Sequence, residues 1–418
     1  MQVFKTLTPE QRLNLSVLFA AGLLFWAGLA SMLPTLPLYI RDLGGSSQQV
    51  GIVMACFAIG LLTSKAWLSR MADERGRKIV LMIGMSAIAI APIGYWLFQT
   101  VPMLMVFRAL HGISIAAFAT AFSALVVDIS PANNRGELIG YMSLVNPLGL
   151  ALGPALGGFL QESVGYTPAF LVAAGLGVIG LLCTARVKES STYDGLLKED
   201  GEAINSSHDP DAKKFWSLLG TPRIRIPAFV LLMVGLAFGT ISTFVPLFIK
   251  ETGIDLNIGL FYTAAAISSF SIRLLTGRAS DRYGRGVFIT LSLVFYSSAM
   301  AVLWLADSPA LFLLSGLIQG VGAGMLIPMI AALMADRSLP NERGRIFGLC
   351  MTGFDLGIAA AGPILGTLAD WIGYRDIFGI TALLVVVGLG AFLTLSSKNP
   401  SNSLRFALGR GPDVYAVK

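Results

Sequence analysis

The sequence predicts an all-α polytopic membrane protein with twelve transmembrane helices. Of its 418 residues, 55% are hydrophobic and only 13% are charged, whereas an ordinary soluble domain carries about 25% charged residues. The mean hydropathy is +0.73. Apolar runs of about 20 residues recur along the chain, and each is long enough to cross a bilayer core of about 30 Å as a helix. The runs lack period-2 alternation, which argues against transmembrane strands.

Composition also excludes several classes of protein. Three cysteines and two histidines supply neither a disulfide scaffold nor metal-ligand spacing. No G-x-x-x-x-G-K-[ST] loop is present, so ATP is not the expected energy source, and no cofactor, metal ion or enzymatic activity is expected. The net charge of +6 comes from short loops between apolar runs. The expected partner is therefore a lipid bilayer and not a nucleic acid.

The twelve apolar runs are interrupted once, by a polar stretch at 188–222 that is rich in Ser, Gly and Asp. This composition is typical of a flexible cytoplasmic linker between two six-helix halves. The predicted domains are an N-terminal bundle at 1–187, a C-terminal bundle at 223–397 and a cytoplasmic tail at 398–418. The predicted spans, numbered 1 to 12, are 14–40, 47–69, 79–98, 102–127, 137–160, 166–187, 223–249, 257–277, 286–306, 309–335, 346–369 and 374–397.

Lysines and arginines predict the orientation. If the N-terminus is cytoplasmic, most of the 30 basic residues fall on the cytoplasmic side, and only Arg41, Lys250 and Arg375 fall on the outer side. Because cytoplasmic loops are enriched in these residues, both termini of this multi-pass cell-membrane protein are predicted to be cytoplasmic.

The second half of the chain repeats the first with an offset of 208 residues. Two parallel six-helix halves create a cavity at their interface near the middle of the bilayer, and rocking about that cavity gives alternating access. The repeat therefore predicts a carrier, and its matched polar residues at helix ends predict a cytoplasmic gate. The matched gate residues are Asp73 and Asp281, Gly76 and Gly284, Arg77 and Arg285, Asp128 and Asp336, and Arg135 and Arg343.

The loops after spans 2 and 8 carry one motif. They read S-R-M-A-D-E-R-G-R-K at 69–78 and G-R-A-S-D-R-Y-G-R at 277–285. The pattern G-x-x-x-D-x-x-G-R-[KR] resembles the signature of the major facilitator superfamily, although Ser69 stands where Gly is usual. The resemblance covers about residues 14–397 and implies the major facilitator fold, two pseudo-symmetric six-helix bundles. A monomer is expected.

Span 4 reads R-A-L-H-G-I-S-I-A at 108–116, which resembles the superfamily pattern R-x-x-Q-G-x-x-x-A with His111 in place of Gln. An arginine inside a membrane helix is costly unless it faces a cavity or a partner. The resemblance implies a role for Arg108 in proton coupling; the alternative is that Arg108 bonds backbone carbonyls at a helix break. His111 shares the face of Arg108, and it either titrates near neutrality or fills the place of Gln as a polar group.

Span 5 contains G-x-x-x-G-P-x-x-G-G, formed by Gly149, Gly153, Pro154, Gly157 and Gly158. Glycines one turn apart form a groove in which a partner helix packs closely. The motif resembles the one typical of twelve-helix drug:proton antiporters, which implies export. The alternative is a packing groove with no directional meaning.

Few acidic residues lie deep in a span, and Asp355 is the clearest, about ten residues and so about 15 Å into span 11. It serves either proton or substrate chemistry or a structural hydrogen bond. The substrate cavity is expected to present aromatic and polar groups to a small organic or amphipathic substrate, although each residue alone is more typical of packing or lipid contact than of ligand binding. These residues are Trp26, Tyr39, Asn146, Thr243, Tyr262 and Gln319.

Together these features predict proton-coupled efflux of a small organic or amphipathic compound by alternating access. As a hypothesis, Asp355 and Arg108 exchange protonation and charge pairing during the cycle. The first alternative is a proton symporter or facilitator for uptake of a sugar or organic acid, against which the span 5 motif argues. The second is a membrane enzyme or receptor on the same scaffold, against which the short linker and the lack of paired catalytic groups argue.

Overall fold

The computed structural model describes residues 7–131, 134–188, 218–339 and 342–417. These residues form helices and no strand, and twelve spans among them are long and apolar enough to cross a membrane. The predicted fold class is confirmed. The helices are α1 (Pro9–Asp42), α2 (Ser47–Arg75), α3 (Arg77–Leu97), α4 (Val101–Ile129), α5 (Arg135–Met142), α6 (Val145–Val164), α7 (Tyr166–Arg186), α8 (Pro222–Thr252), α9 (Ile258–Tyr283), α10 (Arg285–Leu305), α11 (Pro309–Asp336), α12 (Arg343–Ile372), α13 (Tyr374–Leu395) and α14 (Pro400–Ala407), and a 3₁₀ turn lies at Leu218–Gly220.

Four glycines with positive φ are each the single residue between two consecutive helices. Gly76 (φ 94°) lies between α2 and α3, and Gly284 (φ 89°) lies between α9 and α10. Gly165 (φ 90°) and Gly373 (φ 86°) make the corresponding turns before α7 and α13. Only glycine adopts this backbone conformation without a steric penalty. Each pair is 208 positions apart, so the sequence repeat is also a repeat of backbone geometry.

The fifth predicted span is broken, because α5 ends at Met142 and α6 begins at Val145. The break has a local cause in Pro147, which lacks the N–H that would bond the carbonyl of Ser143 in a continuous helix. The Ser143 carbonyl accepts from the backbone N–H of Asn146 instead, at 3.3 Å. The span predicted over 137–160 is confirmed as the membrane span Arg135–Val164, and the turn at Ser143 within it was not predicted.

The chain divides into two compact units that do not coincide with its two halves. Unit 1 comprises residues up to Leu36 and then 56–209, while unit 2 comprises 37–55 and 210–418. In unit 1, α3 packs against α4 and α7; in unit 2, α8 packs against α12, and α11 packs against α9 and α10.

The start of α2 belongs to unit 2 and is capped there by an acidic side chain of α12. The backbone N–H groups of Ser47 and Gln48 donate to the two carboxylate oxygens of Asp370 at 3.0 and 3.1 Å. The hydroxyls of Ser47 and Tyr374 share a hydrogen bond of 2.9 Å. The first N–H groups of a helix lack partners within the helix, so this carboxylate stabilises the start of α2.

Candidate functional site

A buried polar cluster lies between α2, α3 and α4 of unit 1. His111 is fully buried, and its Nδ1 lies 3.1 Å from the hydroxyl of Tyr95. The guanidinium carbon of Arg108 lies 4.6 Å above the ring of Phe57. The structure thus brings the predicted pair Arg108 and His111 together and adds Tyr95, which the sequence analysis missed.

Two donor or acceptor atoms in this cluster have no hydrogen-bond partner among the described residues, namely Nε of Arg108 and Nε2 of His111. An unsatisfied buried polar group costs about 1–3 kcal/mol, so packing alone does not account for the cluster. Helix α4 is continuous through position 108, so no helix break exists there whose carbonyls Arg108 would satisfy. The arrangement is suited to holding an anionic group, a water molecule or a transferable proton inside the membrane.

The second half repeats part of this cluster. The side-chain amide of Gln319 donates to the hydroxyl of Tyr296 at 3.3 Å, and both residues are buried. Gly316 occupies the position equivalent to Arg108, so the second half has no arginine at that position. The tyrosines escaped the sequence comparison because they are 201 positions apart and not 208; a tyrosine in an otherwise apolar third span was the available signal.

The glycines of the span 5 motif pack against α1 within unit 1. A Cβ added at Gly153 would lie 2.5 Å from the carbonyl oxygen of Ala27. The hydroxyl of Thr35 donates to the carbonyl of Gly157 at 3.4 Å. Gly149 faces Trp26 of α1 in the same interface. Pro154 and Gly158 are also buried. The motif is therefore a helix-packing groove in this conformation, which leaves its directional meaning as a prediction.

An aromatic cavity of about 320 Å³ opens beside the break between α5 and α6. Trp26 of α1 and Asn146 of α6 line it, as predicted, together with Phe118 and Phe122 of α4. The Trp26 ring contacts Phe118 edge to face at 5.8 Å, and its Nε1 is buried with no partner among the described residues. The cavity therefore offers ring surfaces for stacking, and the unsatisfied N–H of Trp26 belongs to a side chain that lines it. No sequence signal separated Phe118 and Phe122 from ordinary core residues of an apolar helix.

The other four predicted cavity residues lie in unit 2. The hydroxyl of Tyr262 donates to the carbonyl of Ile241 at 3.2 Å, and Gln319 bonds Tyr296. Tyr39 and Thr243 are buried. Contact of these residues with substrate stays a prediction.

The predicted gate residues form one ion pair in each unit. Arg77 pairs with Asp128 and also donates to the carbonyl of Ala124 at 3.1 Å. Nε of Arg285 lies 3.5 Å from Asp336. Both arginines begin a helix directly after a positive-φ glycine, Gly76 or Gly284. The arginines and aspartates that match in the sequence repeat therefore also form matching ion pairs.

The remaining gate residues lie outside these pairs. Asp73 is exposed near the end of α2, while Arg135 and Arg343 are exposed at the starts of α5 and α12. The side chain of Asp281 lies outside the described part of the structure.

Asp355 is 8% exposed in α12, as its depth in the sequence predicted. Its neighbours Gly353 and Gly357 lie against the backbone of α8. The proposed exchange between Asp355 and Arg108 stays a prediction. Among the described residues, no group of three or more His, Cys, Asp or Glu side chains is placed to hold a metal ion.

Comparison with known proteins identifies the family. The sequence model of the Major Facilitator Superfamily matches residues 18–296 and 228–412. The chain belongs to the Major Facilitator Superfamily. This confirms the resemblance inferred from the motifs and makes the protein a multi-pass transporter.

Relatives in the superfamily include proteins named for drug resistance. Multidrug resistance protein MdtG of Salmonella arizonae is 25% identical over 386 residues, which cover 89% of this chain and 93% of the relative. Quinolone resistance protein NorA of Staphylococcus aureus is 24% identical over 363 residues, which cover 85% of this chain and 89% of the relative.

Solved structures of transporters also superpose on this chain. Nucleoside transporter NupG superposes with a TM-score of 0.75 at 16% identity, over 91% of this chain and 98% of that one. A bacterial homologue of the human lysosomal transporter Spinster superposes with a TM-score of 0.71 at 14% identity, over 92% and 96% of the two chains. At such identities the likeness establishes the fold alone.

Proposed function

We propose that this transporter exports small aromatic or amphipathic organic compounds in exchange for protons, by alternating access. The aromatic cavity beside Trp26 carries the proposal. Its walls are three aromatic rings and several aliphatic side chains, its polar groups are few, and no charged side chain lines it. Such a lining favours flat apolar compounds over sugars or organic acids, which require several hydrogen-bond partners. The drug-resistance names of the relatives support the same substrate class.

In the proposed cycle, different groups of residues bind the substrate, couple protons and close the cytoplasmic side. Rings of the aromatic cavity bind the substrate, and the N–H of Trp26 fixes its orientation through one acceptor atom. Arg108 takes part in proton coupling, with Asp355 as the second group, and His111 supplies the polar partner of Tyr95 in the Arg108 cluster. The ion pairs of Arg77 and Arg285 close the cytoplasmic side when the carrier faces outward. In this scheme the α6 groove is the surface on which α1 moves.

The proposed location is the plasma membrane, with both termini cytoplasmic and the protein monomeric. The excess of lysine and arginine on the side of the termini supports this orientation.

Inside-out proteoliposomes with an acidic lumen test the function. The probes are a fluorescent planar aromatic amine, a nucleoside and a hexose. We expect the aromatic amine alone to accumulate in the lumen beyond its level in protein-free liposomes with the same pH gradient, and a protonophore to abolish that excess. Expulsion of preloaded nucleoside or hexose from an acidic lumen, without accumulation of the amine, would instead establish an uptake symporter.

A matched pair of variants tests the cavity. Trp26→Phe removes the unpaired N–H and keeps a ring, so we expect the KM for an amine with a hydrogen-bond acceptor to rise about tenfold, the value of one buried hydrogen bond. Trp371→Phe is the control, because that side chain is 82% exposed on α12. Equal KM values for the two variants would remove Trp26 from the binding site.

A further inference from the structure

A fully buried arginine lies directly after the second gate acid. Arg337 follows Asp336 at the end of α11, and its side chain has no exposed surface. Nε and Nη2 donate to the two carboxylate oxygens of Asp413 at 2.7 and 3.0 Å. Nη1 donates to the carbonyl of Arg223 at 2.8 Å and Nη2 to that of Ser396 at 3.3 Å. This guanidinium therefore links the ends of α8, α11 and α13 to the C-terminal segment.

The C-terminal segment, residues 400–417, contacts the rest of unit 2 near Gly286, Thr290 and Asp336. Phe406 and Ala407 of α14 lie so close to Gly286 that a Cβ there would be 2.9 Å from the Phe406 carbonyl carbon. The hydroxyl of Thr290 donates to the carbonyl of Ala407 at 2.9 Å. The backbone N–H of Val417 donates to the carbonyl of Asp336 at 2.9 Å.

The buried cation is not a requirement of the repeated fold. The position equivalent to Arg337 in the first half is Ile129, which is also buried. A buried charge is tolerated only when it is paired and hydrogen-bonded, and Asp413 supplies the pairing carboxylate. Arg337 and the C-terminal segment therefore form one arrangement that depends on an arginine where the first half has isoleucine.

We propose that the C-terminal segment is a brace that positions Asp336 for Arg285, and that Arg337 and Asp413 are its positioning residues. The inference rests on the proposed gate role of the Arg285–Asp336 pair. The brace holds Asp336 from two sides, through the Val417 hydrogen bond on its carbonyl and through the anchored side chain of the next residue. Because the brace keeps the end of α11 ordered, Asp336 pairs with Arg285 without a further loss of conformational entropy in each transport cycle. The entropic cost of closing the gate is therefore lower.

Transport kinetics of Asp413→Asn in the same proteoliposomes test the brace. Asparagine keeps the size of the side chain and removes the charge, so the Arg337 guanidinium loses its counter-ion. We expect the kcat to fall about tenfold, within the range by which residues remote from a site alter coupling, with the KM changed less than about twofold. Asp413→Glu restores the carboxylate and is expected to recover at least half of the lost rate.

Hydrogen exchange separates this effect from general damage. In Asp413→Asn, amides of 400–417 and of the end of α11 should exchange faster, while those of α8 and α13 are unchanged. Asp307→Asn is the matched control, because Asp307 is exposed between α10 and α11, and it should match the parent in both measurements.

Asp336→Asn separates the two proposals. If it leaves the kcat unchanged, the gate role fails, and the brace fails with it. If it lowers the kcat while Asp413→Asn does not, the gate stands and the brace is refuted. Unchanged exchange at the end of α11 in Asp413→Asn also refutes the brace. If Asp413→Asn does not fold, Arg337→Lys, which keeps the charge and loses the bidentate geometry, must give the same fall in kcat.

Discussion

Replacing Gly153 by alanine tests the close packing of α6 on α1. Gly153 lies in the middle of the glycine stripe of α6, and an added Cβ would meet the carbonyl oxygen of Ala27 at 2.5 Å and the Cβ of Ala30 at 2.9 Å. Ordinary van der Waals contact begins near 3.4 Å. The two helices must therefore separate by roughly 0.9 Å, because their backbones have no rotamer that relieves the clash.

A displacement of this size has a thermodynamic and a functional cost. Overpacking of a close interface costs about 1–3 kcal/mol, so the apparent melting temperature in detergent should fall by several degrees. The shift moves the α6 residues that border the aromatic cavity relative to Trp26. Proton-driven transport of the aromatic amine should therefore fall about tenfold or more, given that a misplacement of about 1 Å can cost a factor of 100 in a positioned site.

Thermal unfolding and proteoliposome transport of Gly153→Ala provide the assay. Gly175→Ala is the matched control, because Gly175 lies in α7 and nothing lies within 4 Å of its added Cβ; it should match the parent in both assays. A Gly153→Ala protein with the melting temperature and transport rate of the parent would show that the close packing of α1 and α6 is wrong.

Three further predictions follow from hydrogen bonds and ion pairs in the two units. His111→Gln should retain the transport rate within about threefold, because Gln319 makes a similar hydrogen bond to a tyrosine in the second half. His111→Ala removes that hydrogen bond and should lower the transport rate about tenfold. Loss of transport in His111→Gln would mean that a titrating imidazole is required. Asp370→Asn removes the negative charge at the start of α2 and should weaken that helix cap by about 0.5–1 kcal/mol. The hydrogen-exchange rates of the Ser47 and Gln48 amides should then rise roughly two- to fivefold. Unchanged exchange rates would rule out the carboxylate as a cap. Asp128→Asn should slow transport, and adding Arg77→Gln should slow it little further, since a coupled pair departs from additivity by about 0.5–3 kcal/mol; fully additive losses would show that the two side chains act independently.

The sequence was informative wherever a local rule dictated the structure. Apolar run length predicted all twelve spans, because a bilayer leaves the backbone no alternative to the helix. The signature loops predicted turns at Gly76 and Gly284, because only glycine adopts that backbone conformation freely. The motif of span 4 predicted the buried pair of Arg108 and His111.

Features that depend on contacts between distant segments escaped the sequence analysis. Tyr95 belongs to the cluster only because α3 lies beside α4, and Phe118 faces a cavity only because α4 packs near α1 and α6. Nothing in the sequence near Arg337 indicates that Asp413, 76 positions away, provides its counter-ion. The break at Ser143 was an exception, since Pro147 was a local signal that the sequence analysis overlooked.

By itself, the sequence of this protein determined its membrane class, its number of spans, its internal repeat and its superfamily, because each of these follows from hydropathy or from short motifs. Only the tertiary structure decided which polar side chains are buried together, where a cavity opens, and that the C-terminal segment contacts Asp336 and Arg337. The physical reason is that hydropathy assigns a residue to the membrane, whereas its partner there is chosen by how the helices pack. A buried polar atom must find that partner, and the sequence does not state which helix supplies it.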